Sequence, residues 1–242
     1  MFERPEQSME SAITPEFLSE QVSLPREQWS DQFKAYVEQK IQEGHSESTE
    51  RDSWEQERRD TFDRYAKGTD LSQENLRDKV VIDLGSGDGE LVEECVDRDL
   101  SKGVYGIDVQ QPRDAEKYKQ HFFQGNFEES LPVKEADYIV SVGAVSVFEH
   151  ELDLEKVLDN AFDALKENGE LRIYPVQRSS PGSDLVGLEE SYKRWNELLA
   201  KMTATGKIEY TLKPIDIRVS GTDNDVWLEE LLIVKKPSSQ NK

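Results

Sequence analysis

Cysteine is nearly absent from this chain of 242 residues: Cys95 stands alone, and histidine occurs three times. A single thiol excludes an intramolecular disulfide framework, and scattered histidines offer no Cys/His group at structural-zinc spacing, so no metal site is expected. Cysteine use of this kind fits a reducing cytoplasm. Long apolar runs are missing too, none approaching the roughly 20 residues of a spanning helix. Met1 to Glu20 carries acids where a secretory signal has a basic end and an apolar stretch. The chain therefore reads as soluble and cytoplasmic, without a membrane partner. Basic residues are scarce beside acids, 30 Lys and Arg against 51 Asp and Glu, for a formal charge of −21. Phosphate binding needs cations that displace condensed counterions, so nucleic acid is excluded as the expected partner.

Apolar residues thicken after Lys79, whereas the acidity is shared by both parts. Residues 1–21 and 236–242 read as polar tails, 22–70 as a helical extension or lid, and 71–235 as the main domain. Trp29, Phe33, Tyr36, Val37 and Ile41 draw one stripe on a helix that Gly44 can end. A second helix is predicted from about Glu50 to Lys67, with Trp54, Phe62, Tyr65 and Ala66 inward and Gly68 after it. Two such stripes cannot fully bury each other, so they are expected to pack on the following domain, with a coiled-coil partner interface as the alternative.

From Lys79 onward, short apolar runs alternate with helical patterns. Strands are predicted at Val80–Leu84, Val104–Val109, His121–Gln124, Tyr138–Val142 and Leu171–Tyr174. Helices fall at Glu90–Val96, weakly at Pro112–Lys119, through Leu154, Val157, Leu158, Ala161 and Leu165 until Asn168 and Gly169, and from Leu188 to Met202. Runs apolar on both faces alternating with helices describe a doubly wound α/β fold with a mostly parallel sheet. Ile208–Val219 and Val226–Val234 are separated by only Gly221 to Asp225. That gap suits a hairpin and cannot hold a helical crossover, so the sheet should end antiparallel.

The most informative stretch is Val80-Val81-Ile82-Asp83-Leu84-Gly85-Ser86-Gly87-Asp88-Gly89-Glu90, a strand opening through three alternate glycines into a helix. Glycine permits positive φ and a close approach of ligand to backbone, and ligands of open α/β sheets sit beyond the carboxyl ends of the strands. A dinucleotide fingerprint would need glycine at position 90, where Glu90 stands. Asp83, Asp88 and Glu90 also crowd acid where a pyrophosphate wants bare amides. A nucleoside carrying an ammonium and a sulfonium suits such a pocket, and S-adenosylmethionine has both. Asp108, ending Val104-Tyr105-Gly106-Ile107-Asp108, is placed to accept from two ribose hydroxyls.

DLGSGDG, then GID, then GNF after the third strand resembles the class I S-adenosylmethionine-dependent methyltransferases over roughly Leu71 to Val234. The resemblance implies a Rossmann-like, seven-stranded sheet with S-adenosyl-L-methionine as cofactor and methyl transfer as the reaction. By it, Asp83, Gly85 and Gly87 would line the methionine end, Asp108 would hold the ribose, and Asn126 with Phe127 would meet the adenine. The family often has an acid where Asn126 stands, and an amide carbonyl can still accept from the adenine amino group. Ser141 and Gly143 would form the floor near the methyl.

His150, following the fourth strand, is the candidate catalytic base, with Glu149 a weaker candidate of the same kind. Tyr174 and Asp216 are further candidates for the substrate cavity, each equally readable as packing or surface, and Cys95 reads as a small buried apolar residue. In-line displacement at carbon depends chiefly on alignment and exclusion of water, so a base is optional. After the fourth strand the chain has Ser141-Val142-Gly143-Ala144 in place of the Asn/Asp-Pro-Pro-aromatic motif usual in amide- and base-methylating relatives. Together with the net charge this points to a small-molecule acceptor. Two alternatives stand beside it: a catalytically silent cofactor-binding or partner-binding module, and an enzyme using decarboxylated S-adenosylmethionine.

Overall fold

A computed structural model of the chain describes residues 13–46, 54–111, 116–183, 185–220 and 225–236. The helices are α1 (Pro15–Val22), α2 (Asp31–Ser46), α3 (Trp54–Thr69), α4 (Gln73–Leu76), α5 (Glu90–Asp97), α6 (Leu154–Ala164) and α7 (Val186–Ala204). The strands are β1 (Val80–Leu84), β2 (Gly103–Asp108), β3 (Phe122–Gln124), β4 (Ala136–Val142), β5 (Leu165–Ser179), β6 (Glu209–Val219) and β7 (Val226–Lys235). They form one seven-stranded sheet in the order β3-β2-β1-β4-β5-β7-β6. The pairs among β1 to β5 are parallel, while β7 runs antiparallel to both β5 and β6. This is the doubly wound, mostly parallel sheet with a terminal hairpin that the apolar runs predict.

Side chains along a strand point alternately to opposite faces, and the two faces here have separate cores. Ile82, Leu84, Ile139 and Ile173 pack with Leu158 and Ala161 of α6 and with Trp195, Leu199 and Met202 of α7. Val81 and Val140 pack instead with Phe62 and Tyr65 of α3 and Leu91, Val92 and Cys95 of α5. A third core joins Leu18 and Val22 of α1 and Phe33 and Val37 of α2 to Ile217 and Leu228 of the hairpin. The early helices thus pack on the domain itself, α1 and α2 over the hairpin and α3 over the sheet centre.

Several boundaries differ from the sequence reading, each for a tertiary reason. The polar tail does not extend to Gln21: α1 forms under a Thr14 cap, and burial of Leu18 and Val22 in the third core holds it. Helix α2 passes through Gly44 to Ser46. Gly68 lies inside α3, where a Cβ would sit 2.5 Å from the Tyr174 ring. Helix α6 stops at Ala164, short of Asn168 and Gly169, because Leu165 turns into β5 and pairs with Ala136. Strand β5 therefore runs from Leu165 to Ser179, far beyond Leu171–Tyr174. The weak helix at Pro112–Lys119 is not formed over its described end, which is a turn leading into a 3-10 segment at Lys119–His121. Residues 112–115, the hairpin loop 221–224 and the Trp54 side chain lie outside the described residues.

Candidate functional site at the β1/β4 switch point

Sheet order reverses between β1, which leads outward through β2 to β3, and β4, which leads the other way to β5. Loops leaving two such strands diverge to opposite faces and leave a crevice at the carboxyl edge. The glycine loop follows β1 and Gly143 follows β4, so both stand on this crevice.

Each loop glycine has its own reason. At Gly85 (φ +80°) a Cβ would lie 2.1 Å from the Cβ of Ala144, so the two loops pass at backbone distance. Gly87 (φ +55°) and Gly143 (φ +71°) differ: a Cβ on either meets no atom within 4 Å. Both are exposed, with open space where a side chain would stand. The Gly85 amide donates to the Ile107 carbonyl (2.8 Å), and the Gly87 amide donates to Asp108 Oδ2 (3.0 Å). Asp108 Oδ1 accepts from the Gln110 amide (2.9 Å). The carboxylate thus ties the glycine loop to the end of β2 and holds its charge at the crevice mouth.

Asp83 is fully buried, and the Tyr65 hydroxyl of α3 donates across both its carboxylate oxygens at 3.2 and 3.1 Å. Burial pushes this carboxyl up to about 8, reinforced by Glu90 and Asp108, while the Tyr65 hydrogen bond and Arg64 oppose the shift. Desolvation disfavours the charged form and here outweighs the single hydroxyl donor. Asp83 acts beneath the glycine loop and does not face open space.

Ser141 is also fully buried: its hydroxyl donates to the Leu84 carbonyl (3.0 Å) and accepts from the Val145 amide (3.1 Å). It fastens β4 to β1 under the crevice and sets the course of the following turn. Asn126 Oδ1 accepts from the Glu128 amide (3.0 Å), forming a turn in which Phe127 tucks under Gly85, its ring 3.5 Å from where a Cβ would lie there. The Phe127 carbonyl is held by Asn160 Nδ2 at 3.0 Å.

His150 is exposed, its Nε2 3.4 Å from Glu151. Its neighbour Glu149 is buried and is approached by Arg194 of α7, which donates to the Glu149 carbonyl at 3.2 Å. Tyr174 lies beside the crevice, since its carbonyl accepts from the Gly143 amide (2.8 Å), but its hydroxyl is spent on the Glu229 carboxylate. Asp216 lies elsewhere, between α2, α3 and β6, accepting from Lys67 (2.8 Å), Lys40 (3.2 Å) and the Tyr36 hydroxyl (3.0 Å). Cys95 is buried in the core below α5, and burial pushes its thiol up to about 12.

Sequence reasoning missed two features. Tyr65 falls on an apolar stripe and reads as core, and no local signal pairs it with an acid 18 residues away. The exposed large apolar residues Val109, Val147, Phe148 and Val186 follow the ends of β2 and β4 or open α7. Val109, Val147 with Phe148, and Val186 follow β2, β4 and β5 in turn, so each lies toward the carboxyl edge of the parallel strands, where an apolar ligand surface would find them. Among the described residues no group of acids, histidines or cysteines is arranged to hold a metal ion, and no helix is long and apolar enough to cross a membrane.

Comparison with known proteins gives a family. No curated protein sequence matches the chain. Among solved structures, the chain is similar to the N-methyltransferase NodS from Bradyrhizobium japonicum WM9 in complex with S-adenosyl-L-homocysteine, with 15% identity over 84% of this chain and 98% of that one and a TM-score of 0.48. It is also similar to the magnesium protoporphyrin IX methyltransferase of Synechocystis PCC 6803 with bound S-adenosylhomocysteine, at 11% identity over 85% of this chain and 95% of that one, TM-score 0.48. A putative methyltransferase from Haloferax volcanii, in complex with the Trm112 activator, matches at 17% identity over 74% and 93%, TM-score 0.47. The family described as "Methyltransferase domain" matches residues 53–210, which hold the glycine loop, β1 to β5 and α7. The chain belongs to this family, the class I S-adenosylmethionine-dependent methyltransferases.

Proposed function

We propose that the protein transfers a methyl group from S-adenosylmethionine to a small-molecule acceptor in the crevice between the loops after β1 and β4. The observation that carries this reading is the pair of left-handed glycines, Gly87 and Gly143, whose missing side chains leave open space on two sides of one crevice. The residues suit the cofactor. The Asp108 carboxylate stands at the strand end with unused lone pairs for ribose hydroxyls, and exposed Val109 beside it offers an apolar surface for a base. Asn126 and Phe127 form the far wall, and the glycine loop would take the methionine end above Asp83. When bound, the cofactor supplies an electrophilic methyl on a sulfonium.

The chain's share of the work is alignment. Ser141 fixes the spacing of β1 and β4, and the Gly85–Ala144 contact fixes the spacing of their loops, so a nucleophile over Gly143 would be held in line with the methyl. Val147, Phe148 and Val186 would exclude water and accept the apolar body of an acceptor. His150, exposed on the same loop, is the proposed base for acceptors that must lose a proton. The net charge of −21 favours small acceptors over nucleic acid, and a cytoplasmic location agrees with the lone free thiol.

The test is calorimetric titration with S-adenosylmethionine, followed by incubation with methyl-labelled cofactor and fractionated metabolite extract. Binding with a labelled small product supports the enzyme. Tight binding without turnover in every fraction supports a silent cofactor-binding module, and absence of binding removes the cofactor reading.

A further inference from the structure

Asp83 and Tyr65 are not accounted for by alignment alone. A carboxyl with no exposed surface sits directly under the loop proposed for a cationic ligand. Among the described residues it makes no ion pair, and its side chain takes hydrogen bonds only from the Tyr65 hydroxyl. The other charged or titratable groups that act on it are Arg64 on α3, Glu90 and Cys95 on α5, and Asp108 at the end of β2. Two of these are acids and one is a thiol. Arg64, the one cation, is exposed. An anion so placed is poorly compensated until a cation arrives, and a buried acid in that position holds a proton instead.

We propose that Tyr65 is a positioning residue for Asp83 and that the pair links cofactor binding to a proton: the Asp83 carboxyl keeps its proton beside the Tyr65 hydroxyl and releases it to solvent when the ammonium of the cofactor's amino-acid end settles over the glycine loop. The inference rests on the cofactor reading above. At Asp83 the charge balances, because one proton leaves as one ammonium enters, and the cofactor's own carboxylate arrives ionised and takes no part in the exchange. Tyr65 makes the exchange possible, since its hydroxyl can donate to the carboxylate once the proton has gone. A phenylalanine there would leave the anion without a donor.

The test is calorimetric titration of the whole protein with S-adenosylhomocysteine between pH 6 and 9.5, with the proton count taken near pH 7 to 8 from phosphate and Tris, which have different ionisation enthalpies. The expected result is release of roughly half a proton or more per ligand at pH 7. Affinity should tighten by up to about tenfold per pH unit and level off near the value to which burial raises Asp83, about 8. 5′-Methylthioadenosine, which keeps the nucleoside and lacks the amino acid, should bind without proton release. Asp83→Asn should abolish the release, and Tyr65→Phe should move the levelling point to higher pH. Binding of S-adenosylhomocysteine with no proton release and a flat pH profile overturns the linkage while leaving the cofactor reading intact. Equal release with 5′-methylthioadenosine also overturns it. No binding at any pH by the folded protein overturns both.

Discussion

Gly85 and Ala144 meet at the crevice so closely that a Cβ on the glycine would lie 2.1 Å from that of Ala144. Two loops 59 residues apart in sequence are thereby set at one spacing, and that spacing shapes the candidate site. Gly85→Ala should cost about 1–3 kcal/mol through overpacking, with a further cost of about 1–2 kcal/mol for its left-handed φ. Adding Ala144→Gly should recover the first part and not the second. Urea unfolding of the single and double variants checks both.

Gly87→Ala is expected to behave differently. The position also has positive φ, but a Cβ there meets nothing within 4 Å. Stability should fall by only about 1–2 kcal/mol, whereas S-adenosylhomocysteine affinity should drop at least about tenfold, roughly 1.4 kcal/mol. The comparison of melting temperature with calorimetric affinity separates a glycine kept for its fold from one kept for a ligand. Equal affinity in the variant would place the ligand elsewhere.

Ser141→Ala should be a stability variant. Its buried hydroxyl satisfies the Leu84 carbonyl and the Val145 amide, and its removal leaves both without that partner. The expected loss is about 1–3 kcal/mol per buried group left unsatisfied, read by chemical denaturation. Cofactor affinity of the folded fraction should change much less.

Asp83 also governs stability as pH changes. Its folded-state value of about 8 lies above the ordinary 3.8, so the folded chain binds more protons than the unfolded one between those limits. The contribution is fully present below about 4, declines as pH rises, and is lost through about 8. Denaturation midpoints measured from pH 5 to 9 should fall less steeply for Asp83→Asn than for the parent. A steeper or unchanged slope contradicts the assignment.

His150→Ala tests the proposed base. The side chain is exposed, with its Nε2 3.4 Å from Glu151, so neither stability nor cofactor affinity should change. Turnover with an acceptor that must be deprotonated should fall about 10²- to 10⁴-fold. Unchanged turnover assigns catalysis to alignment alone.

The fold was largely legible because its signals are local. Val80–Leu84 is apolar in a continuous run, the three glycines follow at once, and the gap between the last two strands is too short for a helix, so sheet class, switch point and hairpin all follow from neighbouring residues. Boundaries failed where distant parts decide. Asn168 reads as a helix end, yet α6 stops four residues earlier because Leu165 finds a pairing partner in Ala136. Pro15–Val22 looks too polar to order until the hairpin gives Leu18 and Val22 something to cover.

The candidate site divides along the same line. Sequence alone determined which residue types stand in the glycine loop, that Asp108 ends the second strand, and that the chain carries a formal charge of −21, because each depends only on neighbouring residues or on summed charge. The tertiary structure decided which glycines touch a neighbouring loop and which leave space, that Ser141 fastens two strands beneath the crevice, and that Tyr65 lies across Asp83. Those facts depend on distances between elements remote in sequence, set by the packing of helices on the sheet, and no local pattern encodes them.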